Sequence, residues 1–265
     1  MIDVDDPTDA RLAPFALSDR QLRAQGDGGH GWFLAEGDLV VERALNAGCR
    51  PVAALVDAAR VPAVTDGLAA AGTPVYAAGE DVRRAATRLG VIQPVLALFE
   101  RPAPCDAAEL VARTDRVVVV QAVDNPANVG AIVRNAAGLG WGGLVLDRES
   151  ADPFARRALR VAMGTAFALP HARVADVEAF AAGLGDMTTY ALTPAPDADD
   201  LAAVPVPARL AVVVGSERDG LTCGVLRACD RRVRIPLAPG VDSLNVAAAT
   251  AIACHQLRPS EVLPR

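Results

Sequence analysis

The chain has 265 residues, 52% of them hydrophobic, so it is long and apolar enough to bury one large core or two smaller ones. All 26 basic residues other than histidine are arginines, and the lack of lysine excludes a Walker-type phosphate loop, a protein kinase and Schiff-base chemistry. The net charge of −6 argues against a strongly basic polyanion binder but leaves room for a local arginine patch.

The cysteines and histidines predict neither disulfides nor a metal. Five cysteines and three histidines are scattered along the chain without the spacing of zinc ligands. This usage is typical of free thiols in a reducing, cytoplasmic setting. The acidic N-terminus lacks the pattern of a secretory signal, and no apolar run reaches the roughly 18 residues of a membrane span.

The first part of the chain predicts a leader followed by a small α/β domain. Residues 1–30 are polar and end in a glycine-rich stretch, so we interpret them as an N-terminal leader. From residue 31 to residue 103, short strands alternate with amphipathic helices, which predicts an α/β layer. The proline-rich segment 101–105 predicts the boundary of this domain. Strands are predicted from Phe33, Pro51, Pro74 and Val95, and helices from Asp38, Val61 and Glu80.

Residues 104–265 predict a second, larger α/β domain. Arg116–Val123 is rich in valine, as is typical of a parallel strand buried on both faces. Further strands are predicted at Gly143–Leu146, Thr189–Leu192, Leu210–Val214 and Val233–Leu237, and helices at Val129–Leu139, Pro153–Val161 and Leu244–Leu257. In open parallel sheets, ligands collect where strands end and helices begin, and three polar segments occupy such places.

The first segment, Asn125–Ala136, follows the valine-rich strand. Asn128 is placed to cap the next helix, whose free N–H groups attract anions. Arg134 interrupts an otherwise apolar helix. An ordinary cap followed by a surface arginine accounts for the same pattern.

The second segment, Val212–Leu221, contains glycines directly after a buried strand. It differs from a hydrolase nucleophile elbow because Gly215 immediately precedes Ser216, and the dispersed histidines make a catalytic triad improbable. The glycines favour a close approach of the backbone to a ligand. A nucleotide-binding oxidoreductase is a competing class, but its glycine fingerprint is missing after a strand.

The third segment, Ile235–Ala249, leads into the last helix. Ser243 is a natural N-cap, and the first turns that follow carry small residues. Small residues let another backbone or a second subunit pack closely, and a plain core-packing helix fits the same residues.

In this order, the three segments resemble motifs 1, 2 and 3 of the SpoU (TrmH-type) RNA 2′-O-ribose methyltransferases of the SPOUT superfamily. The matching residues are Asn125, Pro126, Asn128, Val129, Gly130 and Arg134 in motif 1; Gly215, Ser216, Glu217, Gly220 and Leu221 in motif 2; and Ile235, Pro236, Ser243, Leu244, Asn245 and Val246 in motif 3. Residues 32–102 resemble, more weakly, the small RNA-binding domain that precedes the catalytic domain in many members.

The resemblance implies a fold, a cofactor, a substrate and an assembly. The fold is a C-terminal parallel-sheet SPOUT domain with a deep trefoil knot, preceded by a smaller α/β domain. The cofactor is S-adenosylmethionine, the substrate is ribosomal or transfer RNA, and the protein is a homodimer whose site is completed across the interface. The implied cofactor contacts are Thr193, Gly215, Glu217, Gly220, Ile235, Leu237, Ser243, Leu244 and Asn245. The implied catalytic residues are Arg134, Asn128, Glu217, Ser243 and Asn245.

We interpret Arg134 as a phosphate ligand that orients the ribose hydroxyl, because a guanidinium with a pKa above about 12 rarely gives up its proton. Arg156, Arg157 and Arg160 are a candidate RNA-binding patch, and a solvated helix face explains them equally well. Arg231, Arg232 and Arg234 form a second basic cluster, for which the ordinary structural explanation is the stronger one because some of these arginines must flank a strand. A catalytically idle SPOUT-fold RNA-binding or assembly factor remains the alternative function.

Overall fold

The computed structural model describes residues 1–26, 29–88, 90 and 93–258. Up to residue 103 the elements are β1 (Ile2–Asp3), a 3-10 helix (Ala10–Ala16), α1 (Asp19–Leu22), β2 (Trp32–Glu36), α2 (Asp38–Asn46), β3 (Pro51–Asp57), α3 (Val64–Ala70), β4 (Val75–Ala78), α4 (Glu80–Thr87) and β5 (Val95–Glu100). Beyond it they are α5 (Ala107–Ala112), β6 (Arg116–Val120), α6 (Pro126–Gly138), β7 (Gly143–Leu146), α7 (Arg156–Ala162), a 3-10 helix (Thr165–Phe167), β8 (His171–Arg173), α8 (Val177–Ala182), β9 (Thr188–Leu192), β10 (Asp199–Asp200), β11 (Leu210–Val214), α9 (Cys223–Ala228), β12 (Arg231–Arg234) and α10 (Val246–Gln256).

The chain divides into two compact units. The first contains residues 1–103 and 154–167, and the second contains residues 104–153 and 168–265. One division falls in the proline-rich segment that predicted a boundary. The segment 154–167, which we placed in the domain 104–265, lies with the first unit instead.

The first unit is built on a mixed sheet in the order β1-β4-β3-β5-β2, with β1, β4 and β3 parallel and β5 antiparallel to both β3 and β2. The predicted leader contributes to this unit: β1 pairs with β4, and Leu12, Phe15 and Leu22 are buried in its core. Burying these side chains offsets the entropy of ordering an otherwise polar segment. Gly28, Leu89 and a few other residues lie outside the described ranges.

Aromatic rings hold the segment 154–167 in the first unit. The ring of Phe33 lies 5.3 Å from that of Phe99 and 5.1 Å from that of Phe154, centroid to centroid. Phe167 extends the cluster at 5.4 Å from Phe33. Offset aromatic pairs stabilise a fold by more than the buried area alone provides. This cluster therefore accounts for the packing of α7 on β2.

The second unit is built on a parallel sheet in the order β10-β12-β9-β11-β6-β7-β8. The valines of β6 and β11 are buried, as expected of central parallel strands covered on both faces. The predicted α/β fold with a parallel sheet is thus confirmed, while the trefoil knot stays a prediction. The strand predicted to reach Val123 ends at Val120, because Ala122 has a left-handed backbone with φ of 55°. No described helix combines the length and the hydropathy needed to cross a membrane.

One buried arginine ties the end of α10 to the sheet of the second unit. The guanidinium of Arg116 donates to the carbonyls of Leu257 (3.1 Å), Ala208 (2.5 Å) and Pro207 (2.8 Å). Burial lowers the pKa of this guanidinium, since desolvation disfavours the charged form. The three carbonyls come from the loop before β11 and from the helix C-terminus, so one side chain fixes both.

Replacing Arg116 by methionine is therefore expected to lower the free energy of unfolding by about 3 kcal/mol, since the carbonyls of Leu257, Ala208 and Pro207 all lose the same buried donor group. Urea denaturation followed by circular dichroism measures the change. Arg113→Met is the matched control: Arg113 is 79% exposed and lies 3.7 Å from Glu109, an arrangement worth about 0–1 kcal/mol. Equal losses in the two variants would contradict the anchoring role of Arg116.

Candidate active site

A cavity of about 500 Å³ lies beside the carboxyl ends of β9, β11 and β12 in the second unit. This volume falls in the range of about 300–1,000 Å³ typical of small-molecule sites. Its apolar lining includes Leu192, Ile235, Leu237 and Leu244. The remaining lining residues are Thr193, Pro194, Ala195, Val214, Gly215, Ser216, Glu217, Arg218, Asp219, Gly220, Leu221, Leu226, Asp242, Ser243, Val246 and Ala249.

The structure therefore brings eight of the nine implied cofactor contacts to one cavity. Those eight are Thr193, Gly215, Glu217, Gly220, Ile235, Leu237, Ser243 and Leu244. Asn245 does not line the cavity. Asp242 does, together with Asp219, and no motif position pointed to either carboxylate.

The loop after β11 is folded tightly back on itself. The amide of Gly220 donates to the carbonyl of Ser216 (3.1 Å), and the amide of Asp219 donates to the Ser216 hydroxyl (3.2 Å). A Cβ on Gly215 would lie 2.4 Å from the carbonyl carbon of Gly220 and 2.5 Å from the amide nitrogen of Leu221. No side chain fits there, so Gly215 is required for the loop to close.

Three polar side chains, one from each motif, meet next to this loop. The Asn245 amide donates to Glu217 Oε1 (3.0 Å) and to Asn128 Oδ1 (3.0 Å). The Asn128 amide in turn donates to Glu217 Oε1. Asn128 is 9% exposed, so its amide needs these partners. This Asn128–Glu217–Asn245 cluster fixes the relative positions of the three motifs.

The two predicted N-caps need correction. Helix α6 begins at Pro126, which suits the first helical position, so Asn125 is the cap and its Oδ1 accepts from the Ala127 amide (3.0 Å). Asn128 lies inside the first turn and uses its side chain in the cluster instead. At α10, Asn245 rather than Ser243 is the cap, and it accepts from the amides of Ala247 (3.0 Å) and Ala248 (3.2 Å).

Arg134 lies on α6 but apart from the cluster. It is exposed and makes no hydrogen bond or ion pair within the part of the chain that the structure describes. At about 3.6 residues per turn, six residues place Arg134 about 120° around the helix from Asn128. Ser243 lines the cavity without joining the cluster. The structure thus brings Asn128, Glu217 and Asn245 together and leaves Arg134 on the surface, without a partner among residues 1–26, 29–88, 90 and 93–258.

The second basic cluster is engaged in local pairs. Arg231 pairs with Asp199 (3.2 Å), Arg232 pairs with Asp197 (2.8 Å), and Arg234 donates to the carbonyl of Ala198 (3.2 Å). These contacts join β12 to the edge strand β10 and the residues before it. The role of these arginines in the structure is therefore to hold the edge strand β10 against β12.

The fold and the cavity define a class of α/β proteins in which a ligand site lies at the carboxyl edge of a parallel sheet. The sequence profile of the SpoU rRNA Methylase family matches residues 115–255, which is more than half of the chain. The chain belongs to that family, so the resemblance noted from the motifs is confirmed.

Relatives and solved structures agree with this assignment. The chain is 39% identical over 261 residues to an uncharacterized tRNA/rRNA methyltransferase of Mycobacterium bovis, covering 96% of this chain and 90% of the relative. It is 31% identical over 232 residues to the 23S rRNA (guanosine(2553)-2′-O)-methyltransferase RlmP of Bacillus subtilis, covering 85% and 88%. The crystal structure of an AdoMet-bound rRNA methyltransferase from Sinorhizobium meliloti superposes with a TM-score of 0.82 at 27% identity, covering 99% and 98%.

Proposed function

We propose that this protein transfers a methyl group from S-adenosylmethionine to a ribose 2′-hydroxyl of ribosomal or transfer RNA. The observation that carries the proposal is the Asn128–Glu217–Asn245 cluster beside the cavity, within a chain of the SpoU family. The 2′-O specificity and the RNA class follow relatives such as RlmP, a 23S rRNA guanosine 2′-O-methyltransferase.

The cavity fits S-adenosylmethionine by its charge. Among the described residues, its lining carries the carboxylates of Glu217, Asp219 and Asp242 and the guanidinium of Arg218. An excess of carboxylates favours a ligand that bears a sulfonium and an ammonium group, and it disfavours the diphosphate of a nicotinamide dinucleotide. The apolar side chains of Ile235 and Leu237 suit an adenine ring. When bound, S-adenosylmethionine supplies an electrophilic methyl group.

The role of the protein's own side chains is to align the attacking hydroxyl with the methyl group. In-line displacement requires the attacking hydroxyl to be held in a narrow geometry, which can supply much of the rate. Asn128 and Asn245 hold the Glu217 carboxylate, and with it the loop that lines the cavity. Arg134, which has no partner among the residues that the structure describes, binds the phosphate next to the target ribose and orients its hydroxyl.

We further propose that the active form is a homodimer. Arg134 lies about 120° around α6 from Asn128 and does not line the cavity of its own chain, so we propose that a second copy brings its Arg134 to that cavity. Exposed apolar side chains support such contact: Leu244 is 36% exposed, and Ile252 on α10 is 42% exposed. Analytical ultracentrifugation tests this assembly, and a monomer at all concentrations would contradict it.

Two measurements test the proposed activity. Calorimetry with S-adenosylmethionine and, separately, with NAD is expected to detect binding of the first alone. Incubation with radiolabelled S-adenosylmethionine and unmodified ribosomal or transfer RNA is then expected to label RNA at positions that resist alkaline cleavage, as a blocked 2′-hydroxyl requires. Mapping 2′-O-methyl groups in a deletion strain identifies the nucleotide. Failure to bind S-adenosylmethionine would favour the idle assembly factor.

Of the three arginines in the candidate patch on α7, two form ion pairs with other described residues. Arg156 lies 3.5 Å from Asp19, and Arg160 lies 3.3 Å from the Glu36 carboxylate, whose side chain is only 4% exposed. Burial raises the pKa of Glu36, and Arg160 opposes that rise. Arg157 is exposed and has no ion pair among the described residues. We therefore propose Arg157 as the phosphate contact of this patch.

Reversing the charge at Arg157 is expected to weaken RNA binding and to lower the slope of log affinity against log salt by about one unit, since one phosphate contact is lost. Filter binding at several salt concentrations measures both effects. Arg113→Glu, at an exposed site, changes the net charge equally and serves as the control. An unchanged slope in Arg157→Glu would remove this residue from the RNA contacts.

A further inference from the structure

The residues between β6 and α6 join three parts of the second unit. Ala122 has a φ of 55°, a left-handed backbone that costs a residue with a Cβ free energy. The side chain of Gln121 accepts from the Thr222 amide (3.0 Å) and donates to the Thr222 hydroxyl (3.4 Å), where the loop of motif 2 ends. Asn125 caps α6 only three residues later. A strained turn therefore links motif 1 to motif 2.

Two buried polar side chains hold this turn. Asp147 Oδ2 accepts from the Ala122 amide (2.8 Å), and the Ser150 hydroxyl accepts from the Val123 amide (3.1 Å). Asp147 Oδ1 also accepts from the Ser150 amide (2.7 Å). Asp147 is 8% exposed and Ser150 is 4% exposed, so neither is an ordinary surface residue of a loop.

The loop that carries these side chains is itself held in place. Arg173 donates to the carbonyls of Ser150 (3.1 Å), Ala151 (3.2 Å) and Asp147. The amide of Ala151 donates to the carbonyl of Val123 (2.9 Å), which adds a backbone link between the loop and the turn. These contacts fix the position of the Asp147 carboxylate, which in turn accepts a hydrogen bond from the strained turn.

We propose that Asp147, supported by Ser150, is a positioning residue for methyl transfer. It holds Ala122 in the left-handed conformation and thereby sets where Asn128 meets Glu217. This inference rests on the proposed function, because its kinetic effect is read from methyl transfer. Asp147 touches neither the cavity nor the cluster, so it acts through the backbone of residues 122–128.

The decisive variant is Asp147→Asn. It leaves one acceptor for two amide donors and aims an NH₂ group at one of them, so the left-handed turn loses support. We expect kcat to fall about tenfold with little change in KM or in affinity for S-adenosylmethionine, since one charge-assisted hydrogen bond is lost outside the cavity. The amides of residues 122–128 should also exchange with deuterium faster.

A second substitution, Ala122→Gly, is expected to rescue the Asp147→Asn variant. Because glycine adopts positive φ without the Cβ penalty, Ala122→Gly/Asp147→Asn should recover kcat to within about threefold of wild type and restore amide protection. A residue that merely supports folding would instead lower the stability and leave kcat per folded molecule unchanged. Glu149→Gln is the matched control, since Glu149 is an exposed carboxylate on the same loop; its kinetics should equal wild type.

The outcomes separate the two proposals. If Asp147→Asn transfers methyl groups like Glu149→Gln, or if its loss of activity includes cofactor binding and resists the Ala122→Gly rescue, the positioning role is wrong. If the wild-type protein methylates no RNA, the proposed function fails. In that case amide exchange alone decides whether Asp147 holds motif 1, with unchanged protection in Asp147→Asn as the contrary result.

Discussion

Replacing Arg134 by lysine is expected to reduce methyl transfer by about 100-fold, because a lysine cannot reproduce the planar two-donor grip of a guanidinium on a phosphate. Affinity for S-adenosylmethionine should not change, since Arg134 does not line the cavity. Stability should not change either, since Arg134 is exposed and has no partner in the described part of the chain. The expected loss of activity therefore comes only from poorer orientation of the bound RNA.

Single-turnover kinetics with saturating RNA measure this prediction, and calorimetry checks the cofactor. Arg113→Lys, at another exposed arginine of the second unit, is the control and should transfer methyl groups at the wild-type rate. Near-normal turnover of Arg134→Lys with unchanged RNA affinity would show that a positive charge suffices, and the geometric role would then be wrong.

Much of the second unit was predictable, because its strands are buried on both faces. Such strands are runs of apolar, β-branched residues, and Val117–Val120 and Leu210–Val214 carry that signal without help from distant residues. The place of α7 was not predictable in the same way. Its Arg160 pairs with Glu36, and its neighbour Phe154 stacks on Phe33, more than 100 positions away. Local periodicity carries no information about such partners.

The candidate site was likewise predictable only where the sequence signal is local. The motifs located the cavity and the cluster, since Asn128, Glu217 and Asn245 each belong to a recognisable segment. The helix starts were misplaced: Pro126 opens α6, and the cap moves to Asn125. The role of Asp147 could not be predicted from the sequence. It depends on β6 lying beside β7, which brings the ends of the two strands together. A polar residue directly after a buried strand was the one available signal.

Gly215→Ala is expected to weaken binding of S-adenosylmethionine by about 100-fold, because the new methyl group has no space and the loop must open. The added Cβ would meet backbone atoms of Gly220 and Leu221 at 2.4–2.5 Å, and backbone does not move aside as a flexible side chain does. Opening the loop displaces Glu217, Asp219 and Gly220 from the cavity lining.

Calorimetry of Gly215→Ala against Gly138→Ala measures this effect. Gly138, at the end of α6, has no atom within 4 Å of an added Cβ, so the same substitution there should leave cofactor affinity unchanged. A Gly215→Ala protein that binds S-adenosylmethionine like wild type would show that the loop opens freely and does not shape the cavity.

Two variants, Arg134→Ala and Gly215→Ala, together decide whether one chain or two build the active site. Each is expected to be nearly inactive alone. A doubly tagged heterodimer, co-expressed from one Arg134→Ala chain and one Gly215→Ala chain, has no chain with both an intact cavity and Arg134. If Arg134 serves the cavity of its own chain, this heterodimer is dead. If it serves the partner's cavity, one complete site is restored, and the heterodimer should regain about half of the wild-type activity, as the symmetry of a two-site dimer requires.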